Sequence, residues 1–569
     1  MTAWLTPIWF FGLGIAFGLV LLALFVLLVK GLALTPWERL SHGPAGHVVA
    51  ALLSLGLAGA VGYAMPSHVW GDEKLNEPQL LGIALVLLCA IVGWAVVFCA
   101  NRQAAKNVWS TIAEGAAAYM MITALVIVLA ALAIWSIGLV TTPIVAAPWQ
   151  ALASIPATFT TGEMVIERTI PAAPTEGLSP FYPIDLPIDL DLLYQLEITS
   201  SAMVVLGDAE EPADFERAPI QIGPNETISW TRAHQKIEDS PIPHDPEKQL
   251  HIQNREIDEA VVTFRALTQP PVPQASSLIM TALATLLIGL AWLLQNAVAP
   301  RASAVAHATV KNELAQPLFL VLMLLGSVAI LLYEFLSFNT FGEDIKLLKD
   351  CGITTIMLLA AFQGVWSASS SISEEIEGKT ALTILSKPLQ RRSFIIGKFL
   401  GIFWVLMLMF LILGALELSA VAYKPIYDAR ENSLQMPEWD TCHLEMFRTI
   451  PGLAMAFMQS TVLTAISVAL ATRLPQLANL AVCFAIYVVG NLTTSLVSST
   501  QEGFEIVKFV ASLVATIIPI LEHFSLQAAI DAGNPITMSL LSGNLIYCLL
   551  YVLLAMFLAL LLFEDRDLA

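Results

Sequence analysis

Residue types suited to chemistry or docking crowd together between Ser371 and Lys398: Glu374, Glu375, Glu377, Gly378, Lys379, Thr380, Lys387, Pro388, Arg391, Arg392 and Lys398. Gly378-Lys379-Thr380 ends like the loop that cradles nucleotide phosphates, in which backbone N–H groups and a lysine meet the charge. That loop needs another glycine five residues before Gly378. Position 373 is Ser373, and no buried strand precedes it. The match is rejected, and the chain is read as lacking a phosphate-cradling loop.

Local physics offers a second use for the stretch, as a short surface helix from Ile372 to Ser386. Ser371 and Glu374 have capping-box spacing. Glu374, Glu375 and Glu377 sit in the first turns, where the helix dipole favours negative charge. Glu375 and Lys379 are i, i+4 in the favourable order. Lys387 lies near the C-terminal end and Pro388 stops the helix. Gly378 costs about 1 kcal/mol in mid-helix and makes a bend plausible there. Arg391 and Arg392 then mark the start of the next apolar run. Such a helix serves equally as an ordinary solvated loop or as a docking element.

Other chemistry is sparse. None of the six cysteines forms a CxxC pair, and the nine histidines show no HExxH or other ligand spacing, so no metal site is expected. No Ser/His, His/Asp or paired-carboxylate constellation suggests a membrane enzyme. Glu334 and Glu417 near one end of their spans, and Arg473 near the other, are read as interfacial residues rather than as a proton relay.

The elements that must position this stretch are membrane helices. Of the 569 residues, 57% are hydrophobic and 13% charged. Soluble chains average about 25% charged. Runs of about 20 apolar residues match a hydrocarbon layer about 30 Å thick. Eleven spans are expected, near 7–29, 48–64, 80–100, 117–140, 278–294, 318–335, 353–367, 399–418, 450–470, 477–497 and 544–563. The apolar piece 509–521 is short and broken by Pro519, and is read as a short external helix. No Lys or Arg precedes the first run, which outlasts the apolar core of a signal peptide.

Lys and Arg set the orientation. Lys30 and Arg39, Arg102 and Lys106, Arg301 and Lys311, and Lys379 to Lys398 fall in alternate loops, which are assigned to the cytosol. The N-terminus and residues 140–276 then lie outside and the C-terminus inside. Lys346 and Lys349 run against the rule, with Asp344 and Asp350 flanking them.

The fold class expected is an all-α polytopic transmembrane bundle of about eleven spans with an inserted, external, β-rich domain. Four parts are read: four spans over 1–139, an acidic Pro-rich external domain over 140–276, a fifth span and linker over 277–304, and six spans over 305–569. Residues 140–276 hold 20 Asp/Glu against 7 Lys/Arg, the larger share of a net charge of −19. Acid in that density keeps a domain soluble and argues against nucleic-acid binding. Alternating runs at 163–170, 194–199, 203–206, 226–231 and 260–266 read as strands of a small sandwich. Asn225-Glu226-Thr227 matches a glycosylation sequon, a pattern common by chance.

The stretch after the seventh span resembles the cytosolic loop of type-2 ABC (ATP-binding cassette) exporter permeases. The resemblance rests on Glu374, Glu375, Glu377, Gly378, Thr380, Leu382, Leu385, Pro388, Arg391, Arg392, Phe394, Gly397 and Lys398. It departs at Lys379, inserted before the Thr, and in lacking an Arg in the acidic cluster. Residues 307–319, with Lys311, Glu313 and Pro317, resemble the interfacial elbow helix of such permeases, and the tail 563–568 their usual ending. The resemblance covers about residues 305–569. It implies a permease subunit in the cytoplasmic (inner) membrane, with the loop docked on a separate ATPase subunit. That partner would bind the ATP and Mg, leaving this chain without a cofactor. It also implies a second permease copy, in a homo- or heterodimer, and export of a substrate the sequence does not identify. A secondary transporter, and a membrane scaffold presenting the external domain, stand as alternatives.

Overall fold

The computed structural model describes residues 5–35, 37, 44–65, 77–100, 153–174, 179–184, 186, 188, 190, 192–215, 217–232, 241–242, 250–272, 275–335, 344–374, 390–433, 437, 439–499, 518–525 and 537–564. Helices α1 (Leu5–Leu32), α2 (Pro44–Ala64) and α3 (Glu77–Phe98) come first. A short helix, α4 (Ile155–Thr160), leads into eight strands. Eight helices follow: α5 (Ala275–Val298), α6 (Pro300–Ala315), α7 (Pro317–Phe335), α8 (Asp344–Ala368), α9 (Arg391–Glu431), α10 (Trp439–Ala471), α11 (Gln476–Ser499) and α12 (Met538–Glu564). Among the described residues, eight helices are long and apolar enough to cross a membrane: α1, α2, α3, α5, α7, α9, α10 and α12. The expected spans at 353–367 and 477–497 fall within α8 and α11. The expected span at 117–140 and most of the apolar piece 509–521 lie outside the described residues. The described end of that piece enters a single 3-10 turn, Leu521–Phe524.

The strands are β1 (Glu163–Ile170), β2 (Tyr182–Ile184), β3 (Leu193–Ser200), β4 (Val204–Gly207), β5 (Ile220–Ile222), β6 (Thr227–Thr231), β7 (Leu250–Asn254) and β8 (Ala260–Thr268). They form two antiparallel four-stranded sheets, ordered β1-β8-β3-β6 and β2-β7-β4-β5. Leu196, Ile198, Trp230 and Phe264 of one sheet share a core with Val204, Leu206, Ile222 and Ile252 of the other. The sandwich expected from the alternating runs is therefore present. Strands β2, β5 and β7 escaped the pattern. The first two have three residues each, and β7 buries Gln253 and Asn254. Their amides are satisfied by the carbonyls of Ser179, Pro171 and Asp258, so polar residues stand where alternation predicts apolar ones.

α5 leaves the sandwich and runs beside α1 and α3. Val26 and Val29, Ala95 and Cys99, and Leu286, Leu290 and Leu293 make one core among them. α2 covers α3, with Ser54 Oγ donating to Ala90 O at 3.0 Å. Pro300 then starts α6, which has little hydrophobic bias of its own and leads to α7 at Pro317. It occupies the place of the expected elbow but begins earlier than residue 307. The largest core gathers α7, α8, α9, α10 and α12 around Ile356, Ile402, Leu406, Met409 and Val468.

At 41 residues α9 is about 60 Å long, twice the hydrocarbon thickness. Gln390, Arg391 and Arg392 are exposed at its start and Phe394 is the first buried apolar residue. The hydrocarbon layer therefore ends near Glu417, and the rest of α9 projects beyond it at the sandwich end.

Candidate functional site

Sequence reasoning centred on a loop whose middle, 375–389, lies outside the described residues; Glu375, Glu377, Gly378, Thr380, Leu382, Leu385 and Pro388 fall there. Both ends of the loop are described, and they show how it is held. On the entry side α8 runs to Ala368 and passes without a break into a π-helical turn, Ser369–Glu374. The capping box expected at Ser371 and Glu374 does not form, because the chain is already helical there. Ser371 is buried, and its hydroxyl has no hydrogen-bond partner among the described residues. No Gly or Pro interrupts 365–373, and Ser369 Oγ turns back to Val365 O at 2.8 Å, a bond that lets serine stay in a helix. A π turn closing a span is a feature often found at functional positions.

Three neighbours fix this entry. Ser373 Oγ donates to Ala471 O at 3.1 Å and Leu474 O at 2.9 Å, at the end of α10. Asn479 Nδ2 of α11 donates to Ser369 Oγ at 2.8 Å and Ser467 Oγ at 3.0 Å. One turn deeper, Ser367 Oγ donates to the buried Glu313 carboxylate of α6, and Gln363 Nε2 reaches the same oxygen at 3.5 Å. Polar side chains thus tie the last turns of α8 to α6, α10 and α11 where lipid offers no substitute partners. None of these ties was anticipated; the run of serines from 367 to 373 inside an apolar span was their only signal.

The exit side is as firmly held. Arg391 and Arg392 are exposed in the first turn of α9, and Arg391 Nη1 donates to Glu564 O at 3.0 Å at the end of α12. Phe394 stacks on Phe563 with ring centroids 5.9 Å apart. Gly397 and Gly401 let α9 lie against α6: a Cβ at either would come within 2.6 Å of α6 atoms, at Ala302 O and Val305 for the first and Thr309 for the second. Lys398 is buried, its Nζ 5.6 Å from the Phe394 ring centroid. Of the expected site residues, the structure therefore places Arg391 and Arg392 on the surface and makes Gly397 and Lys398 packing residues. Glu374 closes the π turn.

Residues 344–374, upstream of Gly378, are helical, where a phosphate-cradling loop follows a strand. No group of three or more His, Cys, Asp or Glu able to hold a metal is found among the described residues.

α6 is also clamped to α5. Gln295 Oε1 accepts from Trp404 Nε1 of α9 at 2.7 Å, and Ser303 Oγ donates to Gln295 O at 3.0 Å. At the sandwich end Ser276 Oγ of α5 and His443 Nε2 of α10 share a buried hydrogen bond of 3.1 Å. The N-terminal helices and the sandwich are thus fastened to the C-terminal bundle at both ends of α5.

The described helices thus form a bundle with eight candidate membrane spans, and both ends of the loop are anchored between two of its helices. Residues 331–568 match the family model described as ABC-2 family transporter protein. The resemblance carried by the loop holds over that range, which starts within α7. Comparison with curated proteins returned no match.

Proposed function

We propose that this chain is the permease subunit of an ATP-driven exporter, and that the loop 375–389 couples it to a separate ATPase subunit. The observation that carries the reading is the seat of the loop. Its entry turn is bonded to α6, α10 and α11, and its exit helix is packed on α6 and α12. A push on such a loop is delivered to several spans at once, as a coupling element requires. In this reading ATP and Mg are bound by the partner, and the acidic cluster Glu374, Glu375 and Glu377 with Arg391 and Arg392 forms the docking surface. The positive loops face the cytosol and the β-sandwich faces outward, in the cytoplasmic (inner) membrane. A second permease copy, identical or related, completes the pathway.

The experiment is recovery of the tagged full-length chain from native membranes in mild detergent, with assay of ATP hydrolysis in the eluate. Co-elution of an ATP-binding cassette subunit with vanadate-sensitive hydrolysis is the expected result. A chain recovered intact and folded without any ATPase overturns the proposal and favours the scaffold alternative.

A further inference from the structure

Glu417 of α9 is fully buried within the protein rather than exposed at the interface, and neither carboxylate oxygen has a hydrogen-bond partner among the described residues. The carboxylate occupies a notch at Gly352 of α8, where a Cβ would stand 2.1 Å from Oε2. Buried polar groups without partners are costly, and charged ones more so. Glu334 of α7, also buried, acts on Glu417 with the same sign and worsens its position.

A neighbouring carboxylate has more than it needs. Glu445 of α10 takes Lys349 Nζ of α8 at 2.5 Å and Arg448 Nη1 at 3.3 Å. Lys349 is 6% exposed and lies within electrostatic reach of Glu417. Lys424, also buried nearby, is engaged with Asp428 Oδ1 at 3.0 Å and Glu334 O at 3.4 Å. Lys349 can therefore leave Glu445 without stranding it, because Arg448 remains, and its arrival would satisfy Glu417.

The geometry favours such a move. Lys349 and Gly352 lie on one face of α8, three residues and about 4.5 Å apart along the axis. Lys349 therefore approaches the Glu417 carboxylate by turning its flexible side chain along the face of α8, with Gly352 keeping the notch open. The other end of α8 is the entry turn of the loop.

We infer that the Lys349 side chain is a moving cation which exchanges Glu445 for Glu417 during the transport cycle, at the sandwich end of the bundle. The inference rests on the proposed function for what drives the move, and on the chain alone for the two pairings. Lys349, Glu417 and Glu445 are positioning residues in this scheme and touch no substrate.

Two measurements test it. The first needs no ATPase and uses thermal unfolding of the full-length chain in detergent. Lys349→Met and Glu417→Gln should shift Tm with weak coupling in the wild-type background and stronger coupling in a Glu445→Gln background, where Lys349 has Glu417 left to pair with. Coupling no stronger in the second background overturns the exchange. Should Lys349→Met fail to fold, Lys349→Gln serves in the same cycles. The second reads ATP turnover of the permease–ATPase complex in liposomes. Each single variant should slow turnover about tenfold, and the Lys349→Met/Glu417→Gln double variant no further. Multiplying effects overturn the role in the cycle. A wild-type chain that recovers no ATPase instead counts against the proposed function, while the unfolding cycles still decide the pairing.

Discussion

Trp404 of α9 donates its indole N–H to Gln295 Oε1 of α5 at 2.7 Å, which makes a direct polar bond between the helix leaving the loop and the helix that carries the sandwich. Trp292 and His307 stack beside it, with centroids 6.2 Å apart. Trp404→Phe keeps an aromatic ring but removes the donor, leaving Gln295 Oε1 unsatisfied. A loss of about 1 kcal/mol is expected. Thermal unfolding should show it, and adding Gln295→Leu should restore part of the stability.

Gly401 faces Thr309 Cβ and Ala306 O of α6, with no room for a side chain. Gly401→Leu should cost about 1–3 kcal/mol by overpacking, and Gly401→Ala less. Unfolding curves of the two variants against the wild type give the comparison. Equal stability of all three would show that α6 does not lie where the structure has it.

Ser373 holds the entry turn through two carbonyls at the end of α10. Ser373→Ala should cost about 1 kcal/mol globally. Amide exchange should rise locally at 469–474, where the two carbonyl acceptors lie, while distant helices such as α1 keep their protection.

The helices were legible in the sequence because length and apolarity alone decide them, and five strands because they alternate. What stayed hidden depends on tertiary partners. β7 carries Gln253 and Asn254 inward, and only the carbonyls of remote segments make that tolerable. Ser371 has every local mark of a helix cap, yet α8 does not stop before it, since nothing between Val365 and Ser373 breaks a helix. Glu417 sits at the depth where an interfacial carboxylate belongs, and its complete burial follows from α8 crossing it at Gly352, which no local pattern encodes. The loop's type was readable from its order of acidic, Gly-Thr, Pro and Arg residues; the buried serines, Asn479 and Glu313 that seat it were not.

Phe264 is fully buried at the centre of the sandwich. Phe264→Ala should destabilise that unit by about 3–5 kcal/mol. Limited proteolysis should then cut within 163–268 while α5 to α12 stay intact, because the bundle's core is built from other residues.

The central claim is that the loop docks an ATPase, and charge reversal measures it most directly. Glu374→Lys/Glu375→Lys is compared with wild type and with Glu210→Lys, an exposed acidic position in the sandwich. The amount of ATPase co-recovered with equal amounts of folded chain is the readout. A fall of about tenfold or more for the loop variant, with Glu210→Lys unchanged, is the predicted result. Equal recovery with all three proteins would contradict it.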